Sequence, residues 1–373
     1  MDKTFRYRFS YLYLLMTLTS FLVLSLNSVV FGFEFKGFSD ITFSFAHNTK
    51  DNNDPQSNST FALGQLDMYL SQNLSDRVDV LVELVVEANE EGEFGVDLER
   101  LQVSYIFNDS LRVLAGRFHN LLGYWNMAYH HGAQIQTTIE RPQFLKFEDD
   151  GGILPVHVVG MWIDGILRTE PAQLKYGIMI GNGAKIVGVD PVTSSGGTLD
   201  PNSSSDNSKN KAVSLHLRAM PSAIEGLVIG ISANFSDVQL FGSDDKLILV
   251  NNKEEVSQLI FGADLEYLAN NIELLSEFYQ IRDKAKESFS SNAWYVQGGY
   301  KIAGRFTPYV RFERVTVDEN DPYFIALGQS DSKKTITGMR YDIMLTSSLK
   351  IEARFINSID NFQEYGIQWA FAF

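Results

Sequence analysis

Apolar and polar residues alternate with a period of two in segment after segment of this chain. Ile41, Phe43 and Phe45 fall on one side of Thr42 and Ser44. Val78, Val80, Val82, Leu84 and Val86 are set against Asp79, Glu83 and Glu87, and Tyr365, Ile367, Trp369, Phe371 and Phe373 against Glu364, Gly366, Gln368, Ala370 and Ala372. Successive side chains of a strand point to opposite faces, so each segment has one apolar face and one polar or small face. The pattern predicts sixteen strands, near 33–46, 61–72, 78–88, 96–107, 111–118, 157–168, 173–182 and 211–220, then 227–236, 257–268, 272–282, 293–303, 305–315, 335–346, 349–357 and 363–373.

The connections between these segments alternate in length. Long ones cover about 47–60, 89–95, 119–156, 183–210, 237–256, 283–292, 316–334 and 358–362. Short ones are Asn73 to Arg77, Asn108 to Ser110, Thr169 to Ala172, Pro221 to Gly226, Ala269 to Asn271, Gly304, and Ser347-Ser348. An even number of strands of about ten residues, with short turns at one end and long loops at the other, is how bacterial outer-membrane barrels are built. The expected fold is therefore all-β, a transmembrane antiparallel β-barrel with extracellular long loops and both termini in the periplasm. A secreted sandwich also alternates, but its strands are shorter and its apolar face must be hidden in a core. The final Trp369-Ala370-Phe371-Ala372-Phe373 resembles the C-terminal strand by which outer-membrane proteins are recognised for assembly.

The N-terminus changes the domain picture. Lys3, Arg6 and Arg8 precede an apolar run from Tyr11 to Leu24, and small residues follow near Val30-Phe31-Gly32, the pattern of a cleaved secretory signal. Residues 1–32 are read as that signal, and residues 33–373 as one barrel domain. The apolar run is too short for a membrane-spanning helix.

Composition supports strands and tight turns, with 28 glycines, 16 tyrosines and 27 phenylalanines against nine prolines. The chain has no cysteine, which removes disulfides, thiolate metal sites, cysteine nucleophiles and a lipoprotein anchor. Without residues 1–32, which carry three bases and one acid, the formal charge moves from −15 to −17. So acidic a protein is not expected to bind nucleic acid, which needs a basic surface. Stretches 49–60 and 193–211, rich in Asn, Ser, Asp and Gly, are expected to be loop tips that bury no core.

Sixteen strands and an export signal make the chain resemble a Gram-negative porin, and Leu111-Arg112-Val113-Leu114-Ala115-Gly116-Arg117-Phe118 followed by a long aromatic loop is similar to the phosphate-selective porin family. That resemblance implies a water-filled channel for passive diffusion of small hydrophilic solutes or ions. It also implies a homotrimer in outer-membrane lipid and lipopolysaccharide. Phosphate selection would call for stacked lumen bases, and strand parity gives a mixed interior instead. Arg100, Arg112, Arg218, Lys301, Arg311, Arg340, Lys350 and Arg354 point inward beside Asp67, Asp79, Glu83, Asp264, Glu266, Glu273, Glu313, Asp342, Glu352 and Glu364.

A sixteen-strand interior leaves an aqueous channel, so selectivity needs something that narrows it. The connection 119–156 is the longest, and Tyr124, Trp125, Tyr129, Phe144, Leu145 and Phe147 give it apolar surface with which to pack on the wall. It also carries His119, His130, His131, Arg141, Lys146, Glu148, Asp149 and Asp150. Fixed charge in a narrow aqueous passage sets ion selectivity, so these residues are expected to form the constriction. Arg100, Arg112, Arg311, Arg340, Asp342 and Arg354 are the expected pore wall, with the acids Glu148, Asp149 and Asp150 facing wall arginines. His130-His131 lacks the spacing that completes a metal site, and no metal or cofactor is expected. Without G-x-S-x-G or P-loop motifs, an enzyme is not expected. The alternative is a non-conducting structural or adhesive barrel.

Overall fold

The computed structural model describes residues 34–48, 59–88, 93–129, 132–190, 192–202, 206, 210–250, 254–358 and 361–373. The expected signal segment 1–32, His130, His131 and most of the loop 49–60 lie outside the described residues.

The first half of the barrel contains β1 (Glu34–Asn48), β2 (Ser59–Leu63), β3 (Leu66–Ser75), β4 (Val78–Ala88), β5 (Phe94–Asn108), β6 (Leu111–His119), β7 (His157–Arg168) and β8 (Ala172–Gly181). Between it and the second half, β9 (Lys185–Val189) and β10 (Thr198–Asp200) lie outside the barrel sheet. The wall resumes with β11 (Ala212–Pro221) and β12 (Leu227–Val238). After the short strands β13 (Leu240–Gly242) and β14 (Leu247–Ile248), it continues with β15 (Val256–Ala269), β16 (Ile272–Lys284) and β17 (Ser288–Tyr300). It ends with β18 (Phe306–Thr316), β19 (Ser332–Met344), β20 (Ser347–Asn357) and β21 (Asn361–Ala372). Helical structure among the described residues is confined to α1 (Trp125–Ala128), α2 (Pro322–Ala326) and a 3-10 turn at Gln143–Leu145.

Both β2 and β3 pair with β1, so they form one strand interrupted at Gly64-Gln65, and the wall has sixteen strands. Pairing of β1 with β21, from Phe38 opposite Ala372 to Asn48 opposite Phe362, closes the sheet. The barrel is antiparallel throughout, with no free edge. Strands run a few residues beyond their expected ends in several places. The connection expected at 283–292 shrinks to 285–287 because β16 and β17 both lengthen.

Alternation holds in three dimensions. Along β18, Phe306, Pro308, Val310, Phe312 and Arg314 are exposed, whereas Thr307, Tyr309, Arg311, Glu313 and Val315 are buried. Exposed outward residues include Ile180, Leu217, Ile231, Phe261, Phe278, Phe312, Ile351 and Trp369, which come from strands around the barrel. A continuous apolar exterior is stable against acyl chains and not against water.

A hydrophobic core fills part of the interior. Trp125, Phe144, Leu145 and Leu154 of the third loop form a core with Tyr279, Tyr295 and Ile260 of the wall. Tyr323 and Phe324 of α2 join it. Loops expected to be polar tips also contribute. Strands β9, β10, β13 and β14 make a four-stranded sheet that places Ile186, Leu199 and Leu240 in this core. The reading of 193–211 as wholly unable to bury a core is thus corrected, because β10 pairs with β9 of the same loop and Leu199 is buried there.

Candidate functional site

The third loop, 120–156, lies inside the barrel and is bonded to the wall at both signs of charge. Inward carboxylates take its backbone donors. Glu277 accepts from Trp125 N at 2.8 Å and Tyr124 N at 3.2 Å, Glu313 from Gln143 N at 2.7 Å, and Glu352 from Ile139 N at 2.9 Å. Glu273 accepts from the Thr137 hydroxyl at 2.6 Å. Gly123 makes the first contact possible. Its φ is +68°, and a Cβ there would lie 1.9 Å from the Glu277 carboxylate and 1.8 Å from the Tyr279 hydroxyl.

Inward bases take the loop's acceptors. Arg311 donates to Thr138 Oγ1 at 2.8 Å and to the Glu140 carbonyl at 3.0 Å, and Arg340 to the carbonyls of Gln134 at 2.7 Å and Gln136 at 2.8 Å. Lys350 donates to the Thr138 carbonyl at 2.9 Å and also to that of Ala133. Lys334 and Arg354 both pair with the Glu140 carboxylate. Burial would raise the Glu140 carboxyl, but these two cations hold it well below the usual carboxylate range.

These contacts show what the inward residues read from parity touch. Arg311, Arg340 and Arg354 point inward as expected, yet they anchor the loop and do not line free pore; Arg311 is 0% exposed. Asp342 pairs with Arg340 at 2.7 Å and Lys301 at 2.8 Å. Arg100 pairs with buried Glu83. Arg112 is more exposed, and makes two hydrogen bonds to Asp164, at 2.9 and 2.6 Å. Of the loop's expected constriction residues, Tyr124, Trp125 and His119 are buried in wall contacts. Glu148 is also buried, accepting from Val156 N and His157 N at 2.7 Å each and meeting His157 Nδ1 at 2.9 Å. It closes the loop on itself, beside a cavity that Arg117 of the wall also lines. Glu277, Glu140 and Lys334 were missed. Glu277 shares the inward parity of Glu273, so its direction was legible, but its partner is a backbone 152 residues away in sequence and carries no side-chain signature.

Further charged residues line two cavities on opposite sides of the docked loop. On the long-loop side a cavity of about 540 Å³ is lined by Asp40, Asp67, Glu87, Asp149 and Asp150, with Arg141 as its one base among the described residues. Arg141 stacks its guanidinium 3.9 Å from the centre of the Phe147 ring. Burial lowers its pKa to about 10, opposed by Glu148, Asp150 and Glu99. Lys146 pairs with Asp150 at 3.3 Å. Glu87, Asp97 and Asp149 bring carboxylate oxygens within 4.8 Å of one another, and could hold a cation. On the short-turn side a cavity of about 520 Å³ is lined by Arg112, Lys175, His216 and Arg218 with Asp109, Asp164, Tyr124 and Trp162.

A bulge sets which charges enter the lumen. The register of β4 against β5 shifts between Glu83 and Leu84, so Glu99 and Arg100 both turn inward while Leu98 and Leu101 remain outside. Gly116, at the centre of the Leu111–Phe118 motif, lies against this bulge with a φ of +134°, and a Cβ there would be 1.9 Å from the Leu101 carbonyl oxygen. Arg117 of the same motif donates to the Glu99 carbonyl at 3.0 Å.

No protein-family model matches the chain, and no curated protein sequence matches it. Solved structures do. The anion-selective porin from Comamonas acidovorans is 11% identical, with a TM-score of 0.61 over 92% of this chain and 99% of its own. The outer-membrane channel DcaP of Acinetobacter baumannii is 10% identical, with a TM-score of 0.61 over 91% and 97%. A trimer form of OmpT, an outer-membrane protein of Vibrio cholerae, is 10% identical, with a TM-score of 0.52 over 92% and 99%. The chain has the fold of the porin-like outer-membrane barrels.

Proposed function

We propose that this protein is an outer-membrane porin, a channel for passive diffusion of small hydrophilic solutes or ions, with the third loop as its constriction. The observation that carries this reading is the docking of loop 120–156. It is fixed inside a closed barrel by Glu277, Glu313, Glu352, Arg311, Arg340 and Lys350, with charged cavities on opposite sides of it. A loop held this firmly narrows the lumen to a defined section, and fixed charge beside that section selects ions. The mouth is acidic on the long-loop side, where Asp149 and Asp150 are exposed, which favours cations. Phosphate selectivity rests on the Leu111–Phe118 motif alone, because Arg112 is paired with Asp164 and Arg117 lies against Glu99.

The same reading includes export with cleavage of residues 1–32, insertion among outer-membrane lipid and lipopolysaccharide, and assembly as a homotrimer, the closed symmetry common for such subunits. The hydrophobic core inside the barrel favours a second reading, a non-conducting structural or adhesive barrel. Planar bilayers separate the two. Stepwise conductance with a reversal potential of cationic sign in a salt gradient supports the channel; an intact, inserted barrel without conductance steps overturns it.

A further inference from the structure

Two buried acids of the barrel take no part in docking the third loop. Asp283 lies on the inner face near the long-loop end of β16, and Asp321 caps α2 in the seventh loop, 317–331, accepting from Tyr323 N at 3.0 Å. Their exposures are 1% and 0%. The two carboxyls face each other. Neither oxygen of Asp283 and only one of Asp321 finds a well-placed donor, and the side-chain amide of Gln258 from β15, which lies beside Asp283, is a neutral group that brings no charge to the pair. Other titratable groups around the pair are Asp318 and Tyr323 of the same loop, with Glu148 of the third loop acting on Tyr323. Arg282 and Lys284, the neighbours on β16, are exposed on the outer face. Among the described residues no lysine or arginine forms a salt bridge with either carboxylate.

Two anions cannot be buried in contact without a cation, and removal of a carboxylate from water is costly. We propose that Asp283 and Asp321 share one proton, an O–H of one acid donating to the carboxylate of the other. This bridge clasps the seventh loop onto β16 and opens when the proton passes to solvent base. The clasp reaches the third loop, because Tyr323 donates its hydroxyl to the Ile153 carbonyl at 2.8 Å and Gln329 its amide to the Gly151 carbonyl at 3.2 Å. Burial raises the Asp321 carboxyl to about 6, so the pair enters its singly protonated form as pH passes that value. Loss of the second proton above it leaves two facing anions.

The test uses the absence of native cysteine. Ala326, 1% exposed at the end of the helix that Asp321 caps, is replaced by Cys in the full-length barrel, and its labelling rate is divided by that of an exposed Glu319→Cys at each pH. Between about pH 5 and 10, from the carboxylate range to well above it, the normalised rate should rise at least about tenfold. With Asp283→Asn, whose amide donates to Asp321 without a titrating proton, it should stay flat. Parallel profiles in the two backgrounds overturn the proposal, as does opening by EDTA at constant neutral pH, which would mean that a metal ion holds the pair. Should Ala326→Cys fail to fold, proteolysis of 317–331 in the otherwise native chain, with and without Asp283→Asn, reads the same opening. Neither readout depends on conductance, so a failed clasp and a failed channel are distinguishable.

Discussion

The Glu277 carboxylate accepts the backbone N–H of Trp125 at 2.8 Å, across the interior from wall to loop. The same carboxylate accepts the hydroxyls of Tyr279 at 2.5 Å and Tyr295 at 2.9 Å, so a single acid ties the start of the third loop to two wall aromatics. Glu277→Ala leaves those buried donors unsatisfied and should destabilise the barrel by about 1–3 kcal/mol. Denaturant unfolding in detergent measures the loss, and single-channel recordings should show a noisier open state as the loop loosens. An unchanged midpoint and unchanged noise would remove Glu277 as an anchor.

Glu148 and the two exposed acids beside it should separate cleanly. Asp149→Asn with Asp150→Asn should shift the reversal potential towards anions at nearly constant conductance, because the mouth potential changes and the radius does not. The shift should shrink in 1 M salt, where the Debye length is about 3 Å. Glu148→Gln should instead act on loop order, since the carboxylate is buried against His157.

Acid should loosen the third loop. Burial favours the neutral form of Glu148, but His157 and backbone N–H groups outweigh it and hold the carboxyl below its ordinary value. A depressed folded pKa contributes stability above the unfolded value of about 4.3, and that stability is lost as pH falls through the folded value. Glu140 shifts in the same direction through Lys334 and Arg354. Proteolytic nicking at 143–156 should therefore increase below about pH 4 in the parent. The increase should be smaller in Glu148→Gln, which no longer titrates there.

Lipid exposure gives a sharper contrast than polarity. Phe312→Arg, outward on β18 and 48% exposed, should cost about 2–4 kcal/mol near the bilayer mid-plane, whereas Gln102→Arg on the lumen side of β5 should cost little. Gln297, though inward, is a poor comparator. It is 0% exposed, donates to Glu273 and accepts from Arg311, so a change there disturbs the docked loop.

Topology can be read from outside intact cells. Cysteine at Val192 in the fourth long loop, or at Glu319 in the seventh, should react with an impermeant reagent, and cysteine at Ile224 in a short turn should not. Labelling at Ile224 in sealed cells would invert the barrel. Tyr323, in the same long loop as Glu319, is buried, so reachability within that loop should vary by residue.

Period-two patterning by itself determined the wall. Facing is decided residue by residue through the pleat, and each hairpin pairs neighbours in sequence, so strand number, antiparallel order and inward charges such as Arg311 and Glu313 followed from local rules. The interrupted second strand and the bulge at Glu99 escaped, because alternation resumes on each side of such an irregularity and only its parity changes. What fills the lumen was decided only by tertiary structure. Glu352 meets the third loop across 213 residues and Lys350 across 212, and in each case the partner is a backbone group that every residue carries. A sequence marks an inward arginine, but whether it faces water or a docked carbonyl depends on where a loop comes to rest, and that is set by the packing of Trp125, Phe144 and Tyr323 against distant wall aromatics.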